Sequence, residues 1–139
     1  MNSEIIILFA AVIIVGLLLF VFINLTQKRT TRLDARRYQT DWSNIKSKLV
    51  EGEPSSYHLA VLNADKLVDR ALKERGIKGQ IMSERMKKAR SLFSNNNSLW
   101  GAHKLRNRIA HESDVDVSSE DARNALNAFE QALKDLGAL

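Results

Sequence analysis

The sequence predicts an all-α protein with a single N-terminal transmembrane helix followed by a compact bundle of four to five helices. Residues 1–25 are almost uniformly apolar, whereas the rest of the chain is rich in charge. The chain contains one proline and six glycines, which is few enough to leave long helical stretches unbroken. After residue 25, apolar residues recur at helical spacing, and no segment shows the alternation typical of a strand.

The N-terminal helix is predicted by an apolar run from residue 5 to residue 23 that continues to Leu25. A helix of that length covers about 30 Å, enough to cross the core of a bilayer. Glu4 is the only charged side chain before the run, and no small-residue cleavage site follows it, so we expect a retained anchor and not a signal peptide. Residues 1–25 are therefore assigned to a transmembrane anchor, with residues 5–25 in the lipid bilayer.

A basic segment follows the span. It contains one acidic residue, Asp34, and five basic residues: Lys28, Arg29, Arg32, Arg36 and Arg37. Positive charge beside a span stays on the cytoplasmic side, which predicts a single-pass cell membrane protein with its N-terminus outside and its C-terminal domain in the cytoplasm. Such a cluster is typical of a stop-transfer and headgroup-binding segment. We assign residues 26–33 to a basic juxtamembrane linker and residues 34–139 to a helical domain.

Five helical patterns follow the transmembrane segment. The first covers residues 34–50 and ends at a Glu-Gly-Glu-Pro turn. The second covers residues 55–75, with Ser55 or Ser56 expected as the N-cap and Gly76 as the stop. Its apolar stripe consists of Ala60, Val61, Ala64, Leu67, Val68, Ala71 and Leu72.

The remaining patterns are shorter. The third covers residues 81–93, and its buried face is predicted to contain Ile81, Met82, Met86, Ala89, Leu92 and Phe93. Its basic residues are expected to project elsewhere, as a solvated face or as a track for RNA: Lys78, Arg85, Lys87, Lys88 and Arg90. The fourth is predicted to start at Ser98. The last runs to about Leu136, with a capping box of Ser118 and Asp121 and a core seam of Ala122, Leu126, Phe129, Leu133 and Leu136.

The fourth helix holds an unusual polar face, within the segment LWGAHKLRNRIAHES of residues 99–113. At 100° per residue, Ala102, Leu105 and Ile109 share one stripe, which we assign to the core. A different stripe gathers four residues: Trp100, His103, Asn107 and His111. Arg106 lies between the stripes, and two further cations edge the polar face, Lys104 and Arg108. Hydrogen-bonding rings and an amide beside cations predict a site for an anion.

Residues 106–111 read Arg-Asn-Arg-Ile-Ala-His, an R-N-x-x-x-H motif preceded by the apolar Leu105. The motif resembles the signature of HEPN domains, helical nucleotide- and RNA-binding domains found in many toxins and defence systems. The resemblance extends to the order of helices across about residues 34–136, with two long helices, a shorter one, the motif helix and a final Ala/Leu/Phe helix. It implies a HEPN-like helical bundle for residues 34–139.

The resemblance implies metal-independent cleavage of RNA, or RNA binding without cleavage. In active members of the family the motif histidine is general base or acid on a ribose 2′-OH, the arginine holds the scissile phosphate, and the polar residue after it orients the pair. Those catalytic roles fall on His111, Arg106 and Asn107 respectively. Four residues are expected to contribute to substrate binding: Trp100, His103, Lys104 and Arg108.

Neither a cofactor nor a metal site is expected, because the chain has no cysteine and three scattered histidines. A homodimer through the motif helix is expected. Arg106 and His111 are five residues apart, so one helix directs them about 140° apart with about 7.5 Å of rise, and a compact site is easier to complete from two chains. Family members usually dimerise with their motifs facing each other, and an anchor raises the local concentration of a second copy.

Each site residue also has a structural interpretation. His111 near a helix C-terminus could complement the helix dipole, and Arg106 could pair with an aspartate of the loop at residues 112–116. His103 could be a packing or hydrogen-bonding residue, and Trp100 could wedge against a neighbouring helix. These interpretations leave open a second function, that of a non-catalytic helical module that binds a protein partner or itself at the membrane.

Net charge favours the first function over the second. Residues 26–139 carry 21 basic and 15 acidic side chains, a net charge of +6 that favours a polyanionic partner such as RNA. The acidic residues directly after His111 count against such a partner unless they turn away or pair with a neighbouring arginine.

Overall fold

The computed structural model describes residues 2–26 and 31–139. These residues contain six α-helices and one 3₁₀ turn, with no strand among them. The elements are α1 (Ser3–Thr26), α2 (Ala35–Ser47), α3 (Pro54–Glu74), α4 (Met82–Lys88), the 3₁₀ turn (Arg90–Leu92), α5 (Asn96–His111) and α6 (Ser119–Asp135). The predicted all-α class and the bundle of four to five helices are confirmed.

The chain divides into two compact units, and α1 belongs to the first of them. α1 is long and apolar enough to span a membrane over Ser3–Leu25, and its large apolar side chains are exposed along its whole length. A helix that is apolar on all sides is typical of a membrane span. Within the predicted juxtamembrane linker, Lys28 and Arg29 lie outside the described residues.

The bundle is organised around α3, which packs against α2, α4, α5 and α6. The apolar stripe predicted for this helix is buried along its whole length. α3 ends as predicted at Gly76, whose φ of +79° is a conformation that other residues rarely adopt. The Gly76 and Ile77 N–H groups donate to the carbonyls of Lys73 and Leu72 at 2.9 and 3.0 Å, which closes the helix.

The start of α3 differs from the prediction. Glu53 occupies the N-cap position and Pro54 is the first helical residue, whereas a serine cap was predicted one or two residues later. Proline suits that position because it has no N–H to satisfy and its φ is already helical. Ser56 instead braces the preceding turn, where its Oγ accepts from the Val50 N–H at 3.0 Å and donates to the Glu53 carbonyl at 2.8 Å.

The first helix of the bundle, α2, is shorter than the predicted 34–50. It begins after Asp34, whose side chain accepts from the Arg37 N–H at 3.2 Å, and it ends at Ser47. Its buried residues are Tyr38, Trp42 and Ile45. The Trp42 Nε1–H donates to Glu130 Oε1 at 3.3 Å, which joins α2 to α6.

Residues 81–93 form two short pieces where one helix was predicted. Ile81 precedes α4 in an extended conformation and is 58% exposed, because it does not share the helical face. Leu92 belongs to the 3₁₀ turn, whose three residues per turn displace it from the buried side. The rest of the predicted face is buried: Met82, Met86, Ala89 and Phe93.

Arg85 also departs from the prediction that it projects away from the core. It is only 4% exposed, and its Nε donates to Asp69 Oδ1 at 2.8 Å while Nη2 lies 2.7 Å from the same oxygen. Nη1 donates to the Gly79 carbonyl. A buried cation requires such partners, because an unpaired charge is strongly disfavoured in an apolar interior. The pair connects α4 to α3.

Hydrogen bonds define the start of α5 and the loop before it. The helix begins two residues before the predicted Ser98, because Asn95 is its N-cap and accepts from the Ser98 N–H at 3.0 Å. In the preceding loop, Ser94 donates its N–H and its hydroxyl to Asp135 of α6 at 2.8 and 2.9 Å. Burial opposes ionisation of Asp135, but these bonds and one from Gln131 outweigh it and lower the pKa of that carboxyl. The charged carboxylate therefore fastens the loop to α6.

The last helix forms as predicted. Ser118 and Asp121 make the capping box, and the core seam of α6 is buried. On α5 the predicted core stripe is only partly buried, because Leu105 and Ile109 lie in the second half of the helix, whereas its fully buried residues lie in the first half.

Candidate functional site

A cleft of about 480 Å³ lies along α5. α5 contributes six side chains to it: Trp100, His103, Lys104, Arg106, Asn107 and His111. Across the cleft are Asp65 and Lys66 of α3, with Ile81 and Met82 at the start of α4. The four residues of the polar stripe predicted from helical spacing therefore border one cavity, together with Arg106 and Lys104.

The inner wall of the cleft contains a buried carboxylate that the sequence analysis did not single out. Asp65 is 3% exposed. Its Oδ1 lies 2.7 Å from His103 Nδ1, and its Oδ2 lies 3.2 Å from Arg106 Nε. A carboxylate is stable in such a position only when it has charged or hydrogen-bonding partners. α3 therefore holds two side chains of α5 in place through one residue.

The sequence contained a signal for Asp65. It lies four residues after Val61 and three before Val68, and both valines are fully buried. A carboxylate on the apolar face of a helix requires a donor from another element. The pattern therefore indicates that Asp65 has a partner, although it does not identify the partner.

His103 is buried, at 7% exposure, although helical spacing placed it on a stripe apart from the predicted core stripe. An ionised carboxylate only accepts hydrogen bonds, so Nδ1 carries the proton shared with Asp65. In the neutral ring, Nε2 then keeps its lone pair. The Trp100 ring contacts His103 edge to face, with centroids 6.1 Å apart and planes at 82°. The imidazole is held by one hydrogen bond and one aromatic contact.

Arg106 pairs with the core of the protein and not with the acidic loop that the structural interpretation suggested. Its Nη1 donates to Asn107 Oδ1 at 2.9 Å. Its Nε is at ion-pair distance from Asp65 Oδ2, but this buried N–H makes no hydrogen bond within the described part of the chain. About a quarter of the Arg106 side chain remains exposed. Neighbours therefore contact Nη1 and Nε, and the side chain borders the cleft.

The outer residues of the site are less constrained. His111 is exposed in the last turn of α5, and its ring makes no hydrogen bond or ion pair with any described residue. Arg108 does not border the cleft; its Nε lies 3.5 Å from Glu112 Oε2. That pairing directs one charge of the acidic loop toward Arg108. Lys104 is exposed at the rim.

A single chain brings Arg106 and His111 to the same cleft. Although the two residues leave the helix axis about 140° apart, both side chains border this cavity. Joining these two residues therefore does not require a second chain. The homodimer through α5 stays a prediction.

Other cavities, of about 340 to 660 Å³, open elsewhere on the bundle, and no histidine borders these. One of them, of about 370 Å³, is lined by residues that include Trp42, Tyr57 and Leu126. Across residues 2–26 and 31–139, no three metal-ligating side chains lie together as a metal site would require. The cleft along α5 is therefore the candidate functional site.

Comparisons of the chain with family models, curated proteins and solved structures found no match. The chemistry of the cleft is consequently the basis on which a function can be proposed.

Proposed function

We propose that this protein is a membrane-anchored, HEPN-like endoribonuclease that binds single-stranded RNA in the cleft along α5 and cleaves it without a metal ion. The observation that carries the proposal is that Arg106, Asn107 and His111 border one cavity. They are the three positions that the R-N-x-x-x-H motif specifies. The anchor would be α1, whose length and apolarity suit a bilayer.

The geometry suits a phosphate at Arg106. Its guanidinium is oriented by Asn107 and by the ion pair with Asp65, and the side chain borders the cleft. A held arginine can give a phosphate two parallel, charge-assisted hydrogen bonds. Lys66 and Lys104 add positive charge at the rim, which favours a polyanion.

The apolar side of the cleft suits a base. Trp100, Ile81 and Met82 border it, and the side chain of Ile81 is 58% exposed. Unpaired bases stack on aromatic rings and contact apolar side chains, and such contacts are available only when the base is not in a duplex. A single strand is therefore the expected substrate.

The test is cleavage by the 139-residue chain purified in detergent micelles. A labelled single-stranded RNA should be cut in the presence of EDTA, because the proposed groups are all side chains. The products should end in a 2′,3′-cyclic phosphate and a 5′-hydroxyl, since the ribose 2′-OH is the nucleophile. The matching duplex should be cut more slowly.

Two results would contradict this proposal. Activity lost in EDTA and restored by a divalent ion would assign the chemistry to a metal. A protein that neither binds nor cuts RNA would favour the non-catalytic interaction module, in which Arg106 and His103 serve only to join α5 to α3 through Asp65.

The proposed orientation places the N-terminus outside and the bundle in the cytoplasm, since all of the described juxtamembrane cations follow α1 in the chain. A reporter enzyme that is active only outside the cytoplasm, fused after Leu139, should be silent. The same reporter fused before residue 1 should be active. The reverse pattern would place the cleft outside the cytoplasm and remove access to cytoplasmic RNA.

A further inference from the structure

We propose that His103, held by Asp65, is the general base of the cleavage reaction and that His111 is the general acid. This inference rests on the proposed function of the cleft and assigns a separate role to each histidine that borders it. Asp65 is then a positioning residue, because it acts on the substrate only through His103 and Arg106.

The first argument is that His103 is prepared to accept a proton. Its Nδ1 is committed to Asp65 Oδ1 at 2.7 Å, in a position where Asp65 is almost completely buried. The neutral ring therefore presents the lone pair of Nε2, and the buried carboxylate stabilises the imidazolium that forms when this nitrogen takes a proton. Trp100 contacts the ring edge to face at 6.1 Å and limits its rotation.

The second argument is that His111 has no comparable support. The ring is exposed and is bound to none of the described residues, so neither its tautomer nor its direction is set. It lies in the last turn of α5 and borders the same cleft as His103. An imidazole that no neighbour holds can turn toward the leaving group and, in its protonated form, donate a proton to it.

Both histidines border the same cleft along α5. The two residues are eight positions apart, which is about 12 Å along the axis and about 80° around it. A phosphate bound between them would meet the base on one side and the acid on the other. Arg106 lies between them in sequence and borders the same cleft, where it can hold the phosphate.

The reaction step then balances as follows. His103 Nε2 takes the proton of the ribose 2′-OH while that oxygen forms a bond to phosphorus. The bond between phosphorus and the 5′-oxygen breaks, and that oxygen takes a proton from the His111 imidazolium. The products are a 2′,3′-cyclic phosphate and a 5′-hydroxyl, and exchange with water returns both rings to their starting forms.

The roles predict different pH profiles for two glutamine variants of the 139-residue chain in detergent. For His103→Gln, kcat on single-stranded RNA should fall by about 10²–10⁴-fold, the usual contribution of a positioned base. The remaining activity should no longer decline on the acid side, where the base is protonated. His111→Gln should keep that acid-side decline and lose the decline on the alkaline side, where the acid is deprotonated.

Asp65→Asn tests the positioning role, and Asp41→Asn is its control. Asp41 of α2 is ion-paired to Arg70 of α3 and does not border the cleft, so both variants remove a carboxylate from an ion pair that joins α3 to another helix. Asp65→Asn should lower kcat by a similar 10²–10⁴-fold while binding of a 2′-O-methyl RNA is retained. Asp41→Asn should keep kcat, measured at a temperature where both variants are folded.

One measurement needs neither a variant nor RNA. The chain contains three histidines, so ¹⁵N spectra of its imidazoles can be assigned, and His103 should be the Nδ1–H tautomer when neutral. An Nε2–H tautomer would overturn the inference even if a variant failed to fold.

The outcomes separate this inference from the proposed function. If wild-type protein cuts RNA but His111→Gln loses the acid-side decline, His111 is the base and the inference is wrong while the function stands. Equal kcat losses in Asp65→Asn and Asp41→Asn would make Asp65 merely structural and would also overturn it. If the wild-type chain does not cut RNA, both are wrong.

Discussion

Replacing His111 by alanine should lower cleavage of single-stranded RNA by about 10²–10⁴-fold, the usual contribution of a positioned acid or base, while leaving RNA binding nearly unchanged. The imidazole moves a proton but need not hold the phosphate. Because the side chain is exposed and bound to no described residue, the free energy of unfolding should change by less than about 0.5 kcal/mol. Cleavage rates and denaturant titrations of the same micelle sample measure both quantities.

Arg106→Ala should behave differently in the same assays. It should weaken RNA binding and reduce cleavage by about 10²–10³-fold, as expected for a donor that stabilises charge in the transition state. Stability should also fall, because Asp65 loses one of its two partners. Arg123→Ala is a charge-matched control, since Arg123 is exposed on α6. Were His111→Ala to destabilise the fold and leave RNA cleavage intact, the motif would be structural.

Phe129→Ala should lower the free energy of unfolding of the bundle by about 3–5 kcal/mol. The ring is completely buried on α6, and α6 packs against both α3 and α5, so its removal leaves a cavity at the centre of the bundle. A loss of that size is a large fraction of the stability of a small domain. Both tryptophans of the chain, Trp42 and Trp100, lie in the bundle and report its unfolding by fluorescence.

Lys87→Ala is the control for this experiment. Lys87 is exposed on α4, and a substitution there should change stability by less than about 0.5 kcal/mol. Similar small effects of both substitutions in urea titrations would show that the buried faces of the helices have been misassigned.

Features that depend on near neighbours in the chain followed from the sequence alone. The long apolar run predicts α1, and the stripe of α3 and the seam of α6 are buried as their spacing indicates. Gly76 ends α3, and the capping box of Ser118 and Asp121 begins α6. Spacing on α5 also placed Trp100, His103, Asn107 and His111 on one side, and all four border one cleft. In each case the deciding interaction lies within about one helical turn, where spacing determines which side chains meet.

The inner wall of the site was decided by tertiary structure. Asp65 and His103 are 38 residues apart in the chain, and Asp69 and Arg85 are 16 apart, so no local pattern pairs them. A prediction from periodicity places a charged side chain at the surface, because burial would remove its hydration. Such a prediction does not include a partner from another helix. When α3 packs against α4 and α5, each carboxylate meets a donor from another helix, and that pairing offsets the lost hydration. The partners become known only when the helices are placed together in space.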